Sequence, residues 1–286
     1  MDDASFVMQS VRTADPDRYL SVLYAPEAVR PALSALYAFN AEIAGLRDRV
    51  REALPGEVRL QWWRDVIASA DPAAGAGHPV ASALCKVIID HGLPRAAFDN
   101  YLEARIFDLY DAPMPSRTDL EGYCGETAGA MIQLASMVLD AKEAPRHAEL
   151  AGHAACAQAI TGLLMLLPRH RARGQCYVPR DVLAAAGTTP EAFLTGDGGA
   201  AAPVAVQAMT ALAREHLSAF EKGAGMLPAS LRPAYLPLAL VRARLDRIAA
   251  ARERALREVR DLALWRKQWL MFRRAAKGWR GDTAKS

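Results

Sequence analysis

A chain of 286 residues with 52% apolar and 23% charged residues has the composition of a folded globular protein, which excludes fibrous and wholly disordered classes, and a formal charge of +3 is too small to point to nucleic acid. No apolar run reaches the roughly 18–20 residues a bilayer crossing needs. The opening MDDASFVMQS lacks the basic and apolar parts of a signal peptide, so a cytoplasmic protein is expected.

Apolar residues spaced three and four apart recur from end to end, and alternating strand patterns are nearly absent, so the expected fold class is all-α. The clearest helix covers 27–48, where Val29, Leu33, Leu36, Asn40 and Ile43 share one face and Asn40 is its one polar member. Further helices are predicted over 57–69, 79–92, 94–109, 117–139, 147–167, 203–222 and 233–277, divided by Gly and Pro. The stretches 71–79 and 195–203 are predicted loops, neither long enough to demand two domains, so 1–286 reads as one domain. GDGG at 196–199 follows no strand and reads as a linker rather than a phosphate loop. Cys85, Cys124, Cys156 and Cys176 form no CxxC pair, and the six histidines have no i, i+4 pair, so neither a disulfide framework nor a zinc site is expected.

Two stretches combine cations with aromatics. Arg59-Leu-Gln-Trp-Trp-Arg64 suits either a docking surface or the core and rim of a packing face. From Arg252 to Arg280 ten Lys or Arg stand against three acids, interleaved with Trp265, Trp269, Leu270, Met271, Phe272 and Trp279, and 252–286 reads as a basic aromatic helix and tail. Such a helix can lie in a membrane interface with its cations toward anionic lipid, or pack its aromatics inward; without a recognisable module, nucleic acid is not expected as a partner.

Arg18-Tyr-Leu-Ser-Val-Leu-Tyr-Ala-Pro-Glu-Ala-Val-Arg-Pro-Ala-Leu-Ser-Ala-Leu-Tyr-Ala-Phe39 resembles the opening of the squalene and phytoene synthases, ending in their ALYAF signature. His78-Pro-Val-Ala-Ser-Ala-Leu, His91-Gly-Leu-Pro, Phe107-Asp-Leu, Asp119-Leu-Glu-Gly-Tyr-Cys-Gly-Glu-Thr-Ala-Gly129 and Tyr177-Val-Pro179 resemble that family's later landmarks in the same order. The resemblance implies an isoprenoid-synthase-type bundle of helices around a central cavity. In active members two aspartate-rich motifs hold magnesium there, and the metal neutralises the charge that develops on the departing diphosphate.

Here the first motif, DDxxD in the family, falls on Ala44-Gly-Leu-Arg-Asp48, and only Asp48 survives. The second falls on the stretch from Gln158 to Arg169, where Gln158 remains and the aspartate positions read Met165 and Arg169. Arg169, His170, Arg171, Arg173 and Arg180 then follow, either a metal-free anion site or a solvated turn. By the resemblance, Asp48, Tyr24 and Tyr123 are the catalytic and cavity candidates, with Tyr37 beside them; plain core packing suits each of the three tyrosines equally. Asn40, Glu42, Gln158, Arg169, Arg171, Arg173 and Tyr177 are the candidates for holding a ligand or diphosphate, with a buried, hydrogen-bonded asparagine the equal alternative for Asn40.

No cofactor is expected; magnesium, on Asp48, enters only if the chain is active. The reading this supports is a non-catalytic or chemically altered member that binds an isoprenyl diphosphate or lipid-like molecule, or a protein partner, on the inner face of the membrane. Family members that act in assembling mitochondrial respiratory complex I share such degenerate motifs. The alternative is an active prenyltransferase making squalene-type or phytoene-type products.

Overall fold

The computed structural model describes residues 3–69, 71–195 and 199–279, and among them helices and turns account for all regular structure, with no strand. The part of GDGG at 196–198 lies outside the described residues. No helix among them is long and apolar enough to cross a membrane.

The chain opens with α1 (Asp3–Ala14) and α2 (Pro16–Val22), where Val7 and Val11 bury one edge and the Asp15 carboxylate accepts from the Arg18 N–H ahead of Pro16. The predicted 27–48 helix divides into α3 (Arg30–Ala44) and α4 (Leu46–Arg49) at Gly45. Next come α5 (Ala53–Ser69), α6 (Pro79–Asp90), α7 (Arg95–Ile106) and α8 (Arg117–Cys124). His78 and Ser116 cap α6 and α8, their side chains accepting the Ala81 and Asp119 N–H groups. The predicted 117–139 helix is interrupted: α8 passes through a π-turn at Gly125–Gly129 before α9 (Ala130–Asp140).

Beyond lie α10 (Ala148–Met165), α11 (Leu167–Ala172), α12 (Arg180–Ala186), α13 (Pro190–Leu194), α14 (Ala201–Gly223) and α15 (Arg232–Tyr235). The predicted helix over 233–277 is corrected most. It breaks into α15, a 3₁₀ stretch Leu236–Leu240, α16 (Val241–Ala251), a second 3₁₀ stretch Arg252–Leu256, and α17 (Leu264–Lys277). Pro237 lacks the N–H a continuous ladder needs, and Arg252 sits at φ 47°, a left-handed backbone that ends α16.

The residues gather into two compact units, each discontinuous in sequence: Met1–Tyr110 with Ala130–Ala148 and Leu227–Pro237, and Asp111–Gly129 with Glu149–Met226 and Leu238–Ser286. In the first, α3 packs on α1, α6 and α9. Phe39 sits at its heart, with ring centroids 5.0 Å from Trp63, 5.8 Å from Phe98 and 5.4 Å from Tyr101. Trp63 is 1% exposed, while Trp62 is half-buried under Arg59, 4.6 Å from its ring, so the Arg59–Arg64 stretch is core and rim. In the second unit α14 packs on α12, α16 and the Arg252–Leu256 turn.

Burial pushes the phenols of Tyr37 and Tyr235 up to about 12 and the Cys176 thiol up to about 11. Folding therefore favours their neutral forms. That contribution is whole below their ordinary values of 10.0 and 9.0 and is lost as pH climbs through the raised ones. The melting temperature should be flat near neutrality and fall steadily from about pH 9 to pH 12, which thermal melts followed by circular dichroism would check; a flat curve across that range would contradict the burial of these groups.

Candidate functional site

Of the residues singled out in the sequence, Asp48, Tyr24, Tyr37, Asn40 and Glu42 lie in the first unit. Asn40 is 4% exposed, and its carboxamide oxygen accepts from the Tyr101 hydroxyl at 3.0 Å. Arg105 stacks 5.1 Å over the Tyr101 ring and pairs with Asp108 at 2.9 Å. Asn40 is thus the hydrogen-bonded member of an internal network, which explains a polar residue on the buried face of α3. Tyr37 is buried with the Arg18 guanidinium 5.4 Å from its ring centre, whereas Tyr24 stands exposed just past α2. Glu42 lies 3.4 Å from His78 Nε2, and Arg49 donates to the Glu42 backbone carbonyl.

The first motif falls on a helix break as well as on replaced residues. Carboxylates one turn apart on one helix converge on a metal. Here α3 stops at Ala44, Gly45 turns the chain, and the surviving Asp48 stands exposed on the four-residue α4. Arg47, beside it, donates to the carbonyls of Val50 and Arg51 at 3.3 and 3.2 Å.

Tyr123, Gln158, Arg169, Arg171, Arg173 and Tyr177 belong to the second unit. Tyr177 is buried, its ring 6.0 Å from Tyr123 and 4.7 Å from His170. Gln158, on α10, keeps its side-chain oxygen out of solvent without a hydrogen-bond donor. The second motif repeats the break seen in the first: α10 ends at Met165, Leu166 turns, and Arg169 falls on α11.

The basic cluster does not act as one group. Arg169 is exposed and Arg173 half-buried, but Arg171 is buried and its guanidinium donates to three backbone carbonyls: Phe193 at 2.8 Å, Leu256 at 2.9 Å and, more weakly, Thr195 at 3.4 Å. The ligand role expected of Arg171 is corrected accordingly. Its fork ties α11 to the end of α13 and to the Arg252–Leu256 turn, because segments that end without continuing their ladders need donors for their carbonyls.

Sequence reasoning missed one polar array in the second unit. Arg117 pairs with Glu121 at 2.7 Å, Glu121 Oε1 lies 3.2 Å from His216 Nε2, and the Nδ1 atoms of His216 and His153 are 3.1 Å apart. Burial alone would raise the Glu121 carboxyl, but the hydrogen bonds from Arg117 and His216 hold it below its ordinary value. These residues come from three separate helices, so no spacing in the sequence announces them. In the first unit, a cavity of about 460 Å³ between α5 and α7 holds none of the catalytic or ligand candidates; Gln61 and Arg64 of the Arg59–Arg64 stretch line it, and Arg64 is paired with Asp99 at 3.0 Å and with Glu103.

The residues do not fit a magnesium site of the family's kind. Four of the five motif carboxylates are replaced, both motifs straddle a helix break, and no group of three or more His, Cys, Asp or Glu among the described residues could hold a metal ion.

A family model described as squalene/phytoene synthase matches residues 11–273. The mouse protein named NADH dehydrogenase (ubiquinone) complex I, assembly factor 6 is 30% identical over 232 residues, which is 81% of this chain and 69% of that protein. Among solved structures, squalene synthase HpnC from Alicyclobacillus acidocaldarius superposes with a TM-score of 0.71 at 22% identity, covering 90% of this chain and 95% of that one. A dehydrosqualene synthase in complex with a ligand gives 0.78 at 17% identity, covering 95% and 94%.

Proposed function

We propose, from the premise that the chain belongs to the squalene/phytoene synthase family, that it no longer performs the family's metal-dependent condensation and acts in assembling a membrane-bound respiratory complex. The observation that carries the first half is the double loss at the motifs. Where paired carboxylates would gather magnesium around a diphosphate, the chain offers one exposed aspartate at the first motif and Met165 with Arg169 at the second. The second half is supported by the mouse relative, whose name is that of a complex I assembly factor.

In this reading the chain binds an isoprenoid or lipid-like molecule, and the candidate contacts are Glu42 in the first unit and, taken separately, Gln158, Arg169, Arg173 and Tyr177 in the second. It needs no cofactor and works on the inner face of the membrane, reached through 252–280. Asp48 is then dispensable.

The test is a deletion of the gene in its own organism. We expect loss of assembled NADH dehydrogenase complex on native gels, restored by the chain and equally by Asp48→Ala. In parallel, the pure protein incubated with farnesyl or geranylgeranyl diphosphate should release no diphosphate above a blank, with or without magnesium, and magnesium should leave any ligand-dependent rise in melting temperature unchanged. Magnesium-dependent turnover that vanishes in Asp48→Ala would replace this reading with that of an active prenyltransferase.

A further inference from the structure

Helix α17 is 14 residues long, about 21 Å, and turns the wrong face to water for a helix whose only task is to close the fold. Leu264 is 59% exposed, Trp265 70%, Trp269 54% and Phe272 53%, and the last three follow i, i+4, i+7 spacing along one outward stripe. The rings of Trp269 and Phe272 stack on each other, 6.1 Å apart, leaving their outer faces uncovered.

The helix is nonetheless held in place. Met271 is fully buried, and Lys267 pairs with Asp261 at 2.5 Å, while Arg244 grips the same carboxylate in a fork at 2.8 and 2.7 Å. Just past its end, Trp279 packs edge-on against Phe220 at 5.3 Å with Arg274 5.7 Å from its ring. The alternative of aromatics packed inward therefore holds for Trp279 and fails for Trp265, Trp269 and Phe272.

Charge identifies what covers the stripe. Between Leu264 and Lys277 there is no Asp or Glu. Of the five cations on the helix, Lys267 and Arg274 are engaged as described, and Arg266, Arg273 and Lys277 are exposed beside the aromatics. A protein partner wants a complementary acidic rim; an anionic bilayer offers that charge over its whole surface together with an apolar interior at the depth of an indole ring.

We infer that α17 is a membrane-docking helix which lies in the plane of an anionic phospholipid surface, with Trp265, Trp269 and Phe272 inserted at head-group depth and Arg266, Arg273 and Lys277 against the lipid phosphates. The inference deepens the membrane location in the proposed function and rests on it for physiological meaning, but the helix face is defined independently of any assembly role or bound isoprenoid.

The experiment is cosedimentation of the full chain with phosphatidylglycerol and with phosphatidylcholine vesicles, paired with tryptophan quenching by brominated lipid. The unmodified protein should sediment with phosphatidylglycerol only and show quenching from shallow bromines. Trp269→Ser with Phe272→Ser should weaken binding about a hundredfold, from the lost insertion of two large side chains. Arg266→Ala, Arg273→Ala and Lys277→Ala together should weaken it by a similar factor and flatten its salt dependence. All replaced side chains are exposed, so both variants should melt with the parent. Absence of sedimentation with phosphatidylglycerol, undiminished binding by the aromatic variant, or a lipid-free dimer that the aromatic variant abolishes would each overturn the inference. If vesicle binding fails while the gene still restores the respiratory complex, the docking helix is wrong and the assembly role stands; the reverse outcome separates them the other way.

Discussion

Arg171→Ala should destabilise the second unit by about 4 kcal/mol, because three backbone carbonyls lose a buried donor at once and none gains a replacement. Arg171→Lys should still cost about 2 kcal/mol, since an ammonium keeps the charge but cannot fork to carbonyls on two separate segments. The pair of variants separates two roles that the sequence left open. An anion site would tolerate lysine far better than alanine while leaving the unfolding midpoint alone; a clamp is harmed by both, in the midpoint itself. Urea titration followed by circular dichroism reads the difference, and unchanged midpoints with lost affinity for inorganic pyrophosphate would return Arg171 to ligand binding.

A comparable loss is expected from Trp63→Ala. The indole is buried between α3 and α5 with its ring 5.0 Å from Phe39, and truncation leaves a cavity against Phe39, which also touches Phe98 and Tyr101. About 4 kcal/mol is the usual scale for such a change. Trp62→Ala, at the half-buried rim, should cost about 1 kcal/mol, mostly from its contact with Arg59. Equal costs for the two in chemical denaturation would show that the adjacent indoles are not divided into core and rim.

The α3 stripe was legible because Leu33, Leu36, Asn40 and Ile43 repeat at helical spacing over about three turns, and all four are buried. The polar residue in that stripe was readable as an oddity, though not its partner, since Tyr101 approaches from α7 and only packing brings its hydroxyl to Asn40. The all-helical class and the family followed from periodicity and from motifs in order. Helix boundaries inside long apolar stretches did not: α1 shows only Val7 and Val11 as a buried pair, and the break at Arg252 depends on a backbone conformation that no residue type there demands. Least legible was the use of each arginine. Arg169, Arg171 and Arg173 look alike in a run of bases, yet the carbonyls that occupy Arg171 arrive from positions 193, 195 and 256.

The turns at Gly45 and Leu166 bear on any attempt to build a metal site into this chain. Aspartates put back at 44, 45, 165 and 169 would stand on either side of those turns, no longer on shared helical faces, and a Cβ at position 45 would come 3.1 Å from the Ala41 carbonyl. Four point substitutions alone would therefore not build a metal site in this chain, because the helix that would present the carboxylates is interrupted at each motif. A redesign would have to carry α3 and α10 unbroken through both turns before any added carboxylate could share a helical face with its partner.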